Sequence, residues 1–314
     1  MKLDSVRSFK RAVSEEVIAQ AGDGPEIRSF YESTEAPMPV LMGLGVAKRG
    51  EEHVLAIRTA NPEAAAAMAA RVNGEADVVI VTVEARNTPG YFQARRRPLE
   101  PGQQVGMAQE NFVGTLGCFA WDAAGHLGVV SNAHVLADSG KAEIGHPFGQ
   151  PWGDPANQVG VLTRWVLPSR LAPGTADAAF ARLDKTTALT GYSGALAGGI
   201  RGIRALGPDD LGREVVKVGR TTGARLGKVS VVEVDGLPVG YDQGVLYFND
   251  QHEITGGPAT DFSAGGDSGS MILTTDGWAV GLLFAGGRDS AGEDRTYANS
   301  LPVALRALGV TLAL

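Results

Sequence analysis

The sequence predicts a mainly β protein with a small α+β part at its N-terminal end, and three observations carry that reading. From Asn111 onward, short β-rich runs recur between turn signals, which is the spacing of an all-β barrel or sandwich. Glycine supplies 43 of 314 residues, about twice the usual ~7%, and favours tight turns over long helices. Upstream of Asn111, by contrast, β-type runs flank one alanine-rich helical stretch. A hydrophobic content of 44% with 20% charged residues is enough to bury a sizeable core.

Taken in order, residues 6–21 read as a helix with Phe9, Val13, Val17 and Ile18 on one face. Gly22-Asp23-Gly24-Pro25 stops it, and the polar, proline-containing stretch to Pro39 reads as a linker or extended arm. Residues 40–46 and 53–59 read as strands around a turn at Arg49-Gly50-Glu51. Asn61-Pro62-Glu63 then offers a cap, a proline at the first helical position and an early acid for a helix over 64–72. Gly74 closes that helix, and 76–84 is a β-branched strand, giving a ββαβ unit. Gly43, Gly45 and Gly50 make no dinucleotide loop, because no helix opens after them. Beyond Asn111, strands are expected within 114–121, 126–133, 179–183, 214–219, 228–234, 245–249, 270–275 and 278–286. A hairpin turn falls at Asp122-Ala123-Ala124-Gly125, and a short helix is expected over 302–308. The domain reading is a helix and linker over 1–30, a small α+β module over 31–110 and a β-rich domain over 111–314.

Composition excludes several function classes. A formal net charge of −7 argues against nucleic-acid binding, and Arg95-Arg96-Arg97 is too short a basic run to reverse it. Cys118 stands alone, so no intramolecular disulfide exists, whereas secreted proteins often carry several. Met1 to Ala21 mixes charges and lacks the apolar core of a signal peptide. No run approaches the ~18–20 apolar residues of a membrane span. Cytoplasmic residence is therefore expected, with no membrane partner. Neither HExxH nor a paired CxxC occurs, so no metal and no cofactor is expected.

Three segments carry chemistry. Gly266-Asp267-Ser268-Gly269-Ser270 places a glycine-flanked serine beside an acid, directly before the apolar Met271-Ile272-Leu273. Ser131-Asn132-Ala133-His134 supplies a histidine, and Asp177, in Ala176-Asp177-Ala178-Ala179-Phe180, supplies an aspartate. A serine hydroxyl needs a base to attack a carbonyl. His134, with an unperturbed pKa near ~6.5, suits that role. Asp177 would fix the tautomer and stabilise the imidazolium. The N–H groups of Gly266 and Ser268 would form an oxyanion hole, in which one donor is worth ~3–4 kcal/mol. The bland readings are a turn for Asp267-Ser268-Gly269 and a core position for His134, while Asp138, Asp154 and Asp184 compete with Asp177. His53, His126, His146 and His252 find no convincing partner. An α/β-hydrolase elbow needs glycine two places either side of the serine, and Ser270 fails that test.

These motifs resemble those of the trypsin/chymotrypsin-like serine peptidases. Val218-Gly219-Arg220-Thr221-Thr222-Gly223, leading to Gly227-Lys228-Val229, is similar to a strand pair common in bacterial members. The resemblance covers residues 111–314 and leaves the first hundred or so unmatched. It implies a double six-stranded β-barrel with an N-terminal α+β (ββαβ) extension. It also implies a serine endopeptidase with a His134, Asp177 and Ser268 triad acting on a protein or peptide substrate. The alternative is a catalytically silent scaffold that binds proteins, with residues 1–110 serving a regulatory or assembly partner in either case.

The resemblance further implies a substrate pocket built by Phe262, Ser263, Phe284, Ala285 and Gly286. Phe262 at its base would favour neutral residues; a slip of one position would put Asp261 there and favour Lys or Arg. Val135 stands where a half-cystine usually follows the histidine, so Cys118 reads as a buried free thiol. No Ile-Val-Gly-Gly start follows the basic run at 95–97, so Asp267 is expected to find an internal partner rather than a freshly cut N-terminus.

Overall fold

The computed structural model describes residues 2–8, 10–11, 43–59, 78–82, 91–107, 113–152, 154–184, 199–257 and 260–314. Residues 3–8 and 10–11 are helical, and the rest of the expected helix over 6–21 lies outside the described residues. So do the linker to Pro39 and the helix over 64–72. Val6 is fully buried, and Arg7 and Lys10 anchor this segment to Glu233 and Asp235, with Lys10 Nζ 3.0 Å from the latter. β1 (Gly43–Arg49) and β2 (Glu52–Thr59) form an antiparallel hairpin, and β3 (Val78–Thr82) lies parallel to β2.

The first large sheet gathers β4 (Gln104–Met107), β5 (Val113–Thr115), β6 (Cys118–Asp122) and β7 (Leu127–Ser131). It also takes in β8 (Pro147–Gly149), β9 (Gln158–Val166) and β10 (Ala178–Leu183). The spatial order runs β6-β7-β10-β9-β8-β4-β5, a curled half-barrel. Thus β4, from the stretch read as part of the N-terminal module, pairs with β5 and β8 inside this sheet. Leu99, Val105, Leu116, Val129, Val135, Leu136, Phe148 and Leu162 fill its interior. Each such side chain contributes about 1.5–3 kcal/mol on leaving water.

The second large sheet opens with β11 (Gly202–Ile203), β12 (Glu214–Gly219) and β13 (Gly223–Asp235). The hairpin β14 (Leu237–Tyr241) and β15 (Gly244–Phe248) follows as a separate ribbon. β16 (Gln251–Gly256), β17 (Met271–Thr274), β18 (Trp278–Arg288) and β19 (Asp294–Ser300) complete the set. The order β12-β17-β18-β19-β16-β13 closes on itself because β12 also pairs with β13, so this half is a six-stranded barrel. β1 pairs with β13, which extends this sheet through β1-β2-β3.

A third core joins the halves. Cys118, Val130, Ala178 and Phe180 from the first sheet meet Val216, Met271, Leu273 and Leu282 from the second. The helix Leu301–Leu308 presses Leu301, Ala304, Leu305 and Leu308 into the same seam, and β20 (Val310–Leu312) returns to pair with β6. Cys118 sits in this seam with its thiol fully buried, and burial pushes its pKa up to about 12. A thiol held neutral there packs as a small apolar side chain. Among the described residues no helix is long and apolar enough to cross a membrane.

Candidate active site

His134 enters from the single-turn helix Ala133–Leu136, which follows β7 directly. Ala133, Val135 and Leu136 are packed into the first-barrel core, so the turn is held on three sides and the imidazole is left 3% exposed. Asp177 immediately precedes β10. Because β10 pairs with β7 at Ala179↔Ser131, the register carries Asp177 beside Asn132, Ala133 and His134. Its carboxylate is fully buried. Oδ1 accepts the N–H groups of Ala133 at 2.6 Å and His134 at 3.3 Å, and Oδ2 lies 2.5 Å from His134 Nδ1. A proton held on Nδ1 by this contact leaves Nε2 as the basic nitrogen.

Residues the sequence reading did not single out complete the support of Asp177. Tyr241, at the tip of the β14–β15 hairpin, donates its hydroxyl to Asp177 Oδ2 at 2.7 Å. Burial first, and the adjacent carboxylate second, hold the phenol well above its usual pKa, so it remains a donor. Asn132 Nδ2 donates to the Asp177 carbonyl at 2.7 Å, and Asn299 Oδ1 accepts the Asp177 N–H at 2.8 Å. The buried charge is therefore compensated by hydrogen bonds from several elements rather than by a single partner. The only prior signal for Tyr241 was a phenol closing an apolar strand, where the hydroxyl requires a partner.

Ser268 sits in the turn between β16 and β17 and is 4% exposed. Gly266 at φ 91° and Gly269 at φ 94° bracket it in a conformation L side chains rarely adopt. The turn is fixed against β5: Thr115 N–H donates to the Ser268 carbonyl at 2.7 Å, and Thr115 Oγ1 donates to the Gly266 carbonyl at 2.9 Å. Ser131 Oγ, at the end of β7, donates to the Thr115 carbonyl at 2.8 Å. A Cβ on Gly114 would lie 2.4 Å from Val135 Cγ2 and 2.7 Å from the Ser268 carbonyl oxygen, so only glycine lets the His134 turn and the Ser268 turn approach this closely. The His134–Asp177 pair and the Ser268 turn thus approach each other across Gly114.

The amides of the turn divide into two kinds. Asp267 N–H donates to Ala264 O, Gly269 N–H to Leu283 O and Ser270 N–H to Asp267 O. The N–H groups of Gly266 and Ser268 donate to no group among the described residues. Two free amides on a rigid turn are what a developing oxyanion requires.

Asp267 finds the internal partner expected of it. Lys217, in the middle of β12, reaches Asp267 Oδ2 at 2.7 Å, and both side chains are fully buried. Thr222 Oγ1 at 2.7 Å and the N–H of Ala264 at 3.1 Å share that oxygen, while Thr221 N–H at 2.9 Å and Thr222 N–H at 3.2 Å donate to Oδ1. Burial lowers the Lys217 pKa and Asp267 opposes the shift.

The expected pocket residues separate. Phe262 is fully buried in the second-barrel core with Val215, Val229, Ile254 and Ile272, so its ring is core packing and offers no pocket base. Phe284 is likewise buried, its ring tilted at 46° and 4.8 Å from Phe248 beside Tyr241. Ser263 turns the other way, its hydroxyl 2.6 Å from Thr296 Oγ1. Ala285 is 6% exposed and Gly286 is half-buried, pairing with Thr296 across β18 and β19. Asp261 is held by Arg288. The residue that takes up the amides of Phe262 and Ser263 is Asp294, at 2.8 and 3.4 Å.

Comparison with known proteins places the architecture. No protein-family model and no curated protein matches the sequence. Among solved structures, the chain is similar to a glutamic-acid-specific serine protease described as using a histidine triad in substrate binding. The two share 20% identity and a TM-score of 0.51, over 68% of this chain and 100% of that one. It is also similar to Thermobifida fusca Protease A, at 19% identity and TM-score 0.49 over 68% and 97% of the two chains. Cellulomonas bogoriensis chymotrypsin gives 19% identity and TM-score 0.48 over 68% and 97%. With a closed barrel and a half-barrel meeting in one seam, this chain has the trypsin/chymotrypsin-like fold of bacterial serine proteases.

Proposed function

We propose that this protein is a serine endopeptidase, with Ser268 as nucleophile, His134 as general base and acid, and Asp177 orienting the imidazole. The observation that carries the reading is the fully buried Asp177 carboxylate at 2.5 Å from His134 Nδ1, on a turn packed against the one that bears Ser268. In the proposed reaction Ser268 Oγ bonds to the scissile carbonyl carbon as its proton passes to His134 Nε2. The oxyanion is received by the amides of Gly266 and Ser268. Collapse breaks the C–N bond, the proton goes to the leaving amine, and water then repeats the sequence on the acyl-enzyme. Cytoplasmic residence remains part of the reading, supported by the lone Cys118. Residues 1–110 are read as a docking part for a regulatory or assembly partner, supported by β3 standing at the end of the ten-stranded sheet.

A fluorophosphonate probe tests the reading. The native protein is expected to form a covalent adduct on Ser268 and to cleave a peptide library, and Ser268→Ala is expected to lose both. Absence of labelling in the native, folded protein overturns the enzyme reading in favour of a protein-binding scaffold on the same fold.

A further inference from the structure

The β14–β15 ribbon meets the His134–Asp177 pair at its tip and the N-terminal elements at its base and along its face. At the tip, Tyr241 donates to Asp177 Oδ2 at 2.7 Å, and its ring meets the His134 ring edge-on, 6.2 Å between centroids. Asp242 pairs with Lys141 at 2.7 Å, and Gln243 Nε2 donates to the Ser139 carbonyl at 2.9 Å. The tip is thereby tied to the turn that follows the His134 helix as well. At the base, Asn249 Oδ1 accepts the Gly236 N–H and Asp235 Oδ1 accepts the Asp250 N–H, each at 2.8 Å. Lys10 reaches that same Asp235 at 3.0 Å, and Arg7 pairs with Glu233 in the same strand.

Between tip and base the ribbon rests on the β1–β2 hairpin. Ala47 lies opposite Val54 and Gly45 opposite Ala56, so strand alternation puts all four on one face. Ala47, Val54 and Ala56 are buried in one cluster with Val239, Tyr241 and Phe248 of the ribbon. Within it the Phe248 ring stands 6.2 Å from that of Tyr241. Gly45 closes on β13 in the same cluster: an added Cβ would lie 3.1 Å from Val234 Cγ2 and would run into Val231 Cγ1. Interiors packed this tightly pass on a change of even one methylene. We propose that the β1–β2 hairpin is a positioning element of the active site, setting the ribbon so that the Tyr241 hydroxyl reaches Asp177. This rests on the serine-peptidase reading above and adds regulation to it. A partner that draws the hairpin off β13 would lower the fraction of molecules in which Asp177 Oδ2 holds both of its donors, and the reaction would slow. The N-terminal part is then a built-in activator of the His134–Asp177 pair.

The test uses the full chain carrying Val54→Ala, which empties part of that face, or Gly45→Ala, which forces β1 away from β13. Urea unfolding identifies conditions in which each variant is folded; should Gly45→Ala fail to fold, Val54→Ala alone decides. Under those conditions each is expected to slow fluorophosphonate labelling of Ser268 by about two- to tenfold, the scale of coupling between groups in contact. Each is also expected to move the downfield NMR signal of the His134 Nδ1 proton in the direction that Tyr241→Phe moves it. In a Tyr241→Phe background neither substitution should change rate or signal further. A signal unmoved by the folded variants, or the same loss of rate with and without the Tyr241 hydroxyl, overturns the proposal and leaves the peptidase reading intact. Native protein that takes no label overturns the peptidase reading instead, and the NMR signal still decides whether the hairpin sets Tyr241 against Asp177.

Discussion

Asp177 Oδ2 is shared by His134 Nδ1 and the Tyr241 hydroxyl, so in the proposed reaction the phenol would act through the carboxylate rather than by touching substrate. Removing a hydrogen bond to a charged group costs about 1.5–3 kcal/mol. Tyr241→Phe is therefore expected to lower kcat by roughly ten- to a hundredfold with KM little changed. A variant that keeps full kcat, or that raises KM with kcat unchanged, would show Tyr241 to be packing alone. At this scale the sequence disclosed the groups with a local signature. Ser268 and His134 sit in short motifs, and Asp177 starts a strand, so each could be read from its neighbours. Tyr241 and Asn299 support Asp177 from strands distant in sequence, and nothing beside them in the chain says so.

Among the elements, β12 and the Ser268 loop are held together by one buried ion pair, Lys217 with Asp267. Breaking a buried pair by removing one partner typically costs about 3–5 kcal/mol, because the other charge is left uncompensated. Lys217→Met is expected to lower the urea midpoint accordingly and to abolish fluorophosphonate labelling at temperatures where the variant is still folded, since Asp267 stands between Gly266 and Ser268 in the turn. Because Lys217 supplies the partner from within, chain intact through residues 93–98 is expected to label at full rate. Labelling that requires cleavage there would contradict this. The strands rich in β-branched residues, such as β12, β13 and β17, were legible from their pattern. β19, Asp294–Ser300, was not, because its residues are polar and yet wholly buried. Tyr297 and Ala298 pack in the apolar core, but Asn299, Thr296 and the Tyr297 hydroxyl serve Asp177, Asp294 and Glu253, and periodicity detects only apolar packing.

At the scale of the whole molecule, two buried groups set opposing dependences of stability on pH. His252 is 2% exposed with neither ring nitrogen bonded among the described residues, and burial lowers its pKa to about 4 despite the attraction of Asp210 and Glu233. Between about 4 and 6.5 the unfolded chain takes up a proton there that the fold refuses, so this residue makes stability fall as pH falls. Asp294 does the reverse: its carboxyl, raised by burial from 3.8 to about 6, holds a proton in the fold that the unfolded chain releases, so it makes stability fall as pH rises through the same window. Each effect is on the order of 3 kcal/mol, so the two largely cancel in the native protein. Single variants are expected to expose them. Urea unfolding of Asp294→Asn should show stability climbing with pH from 4 to 6.5, whereas His252→Leu should show it declining over that range, with the native curve between them. Groups common to all three proteins drop out of the comparison. Parallel curves for the native protein and both variants would show that neither group keeps its shifted proton equilibrium in the fold.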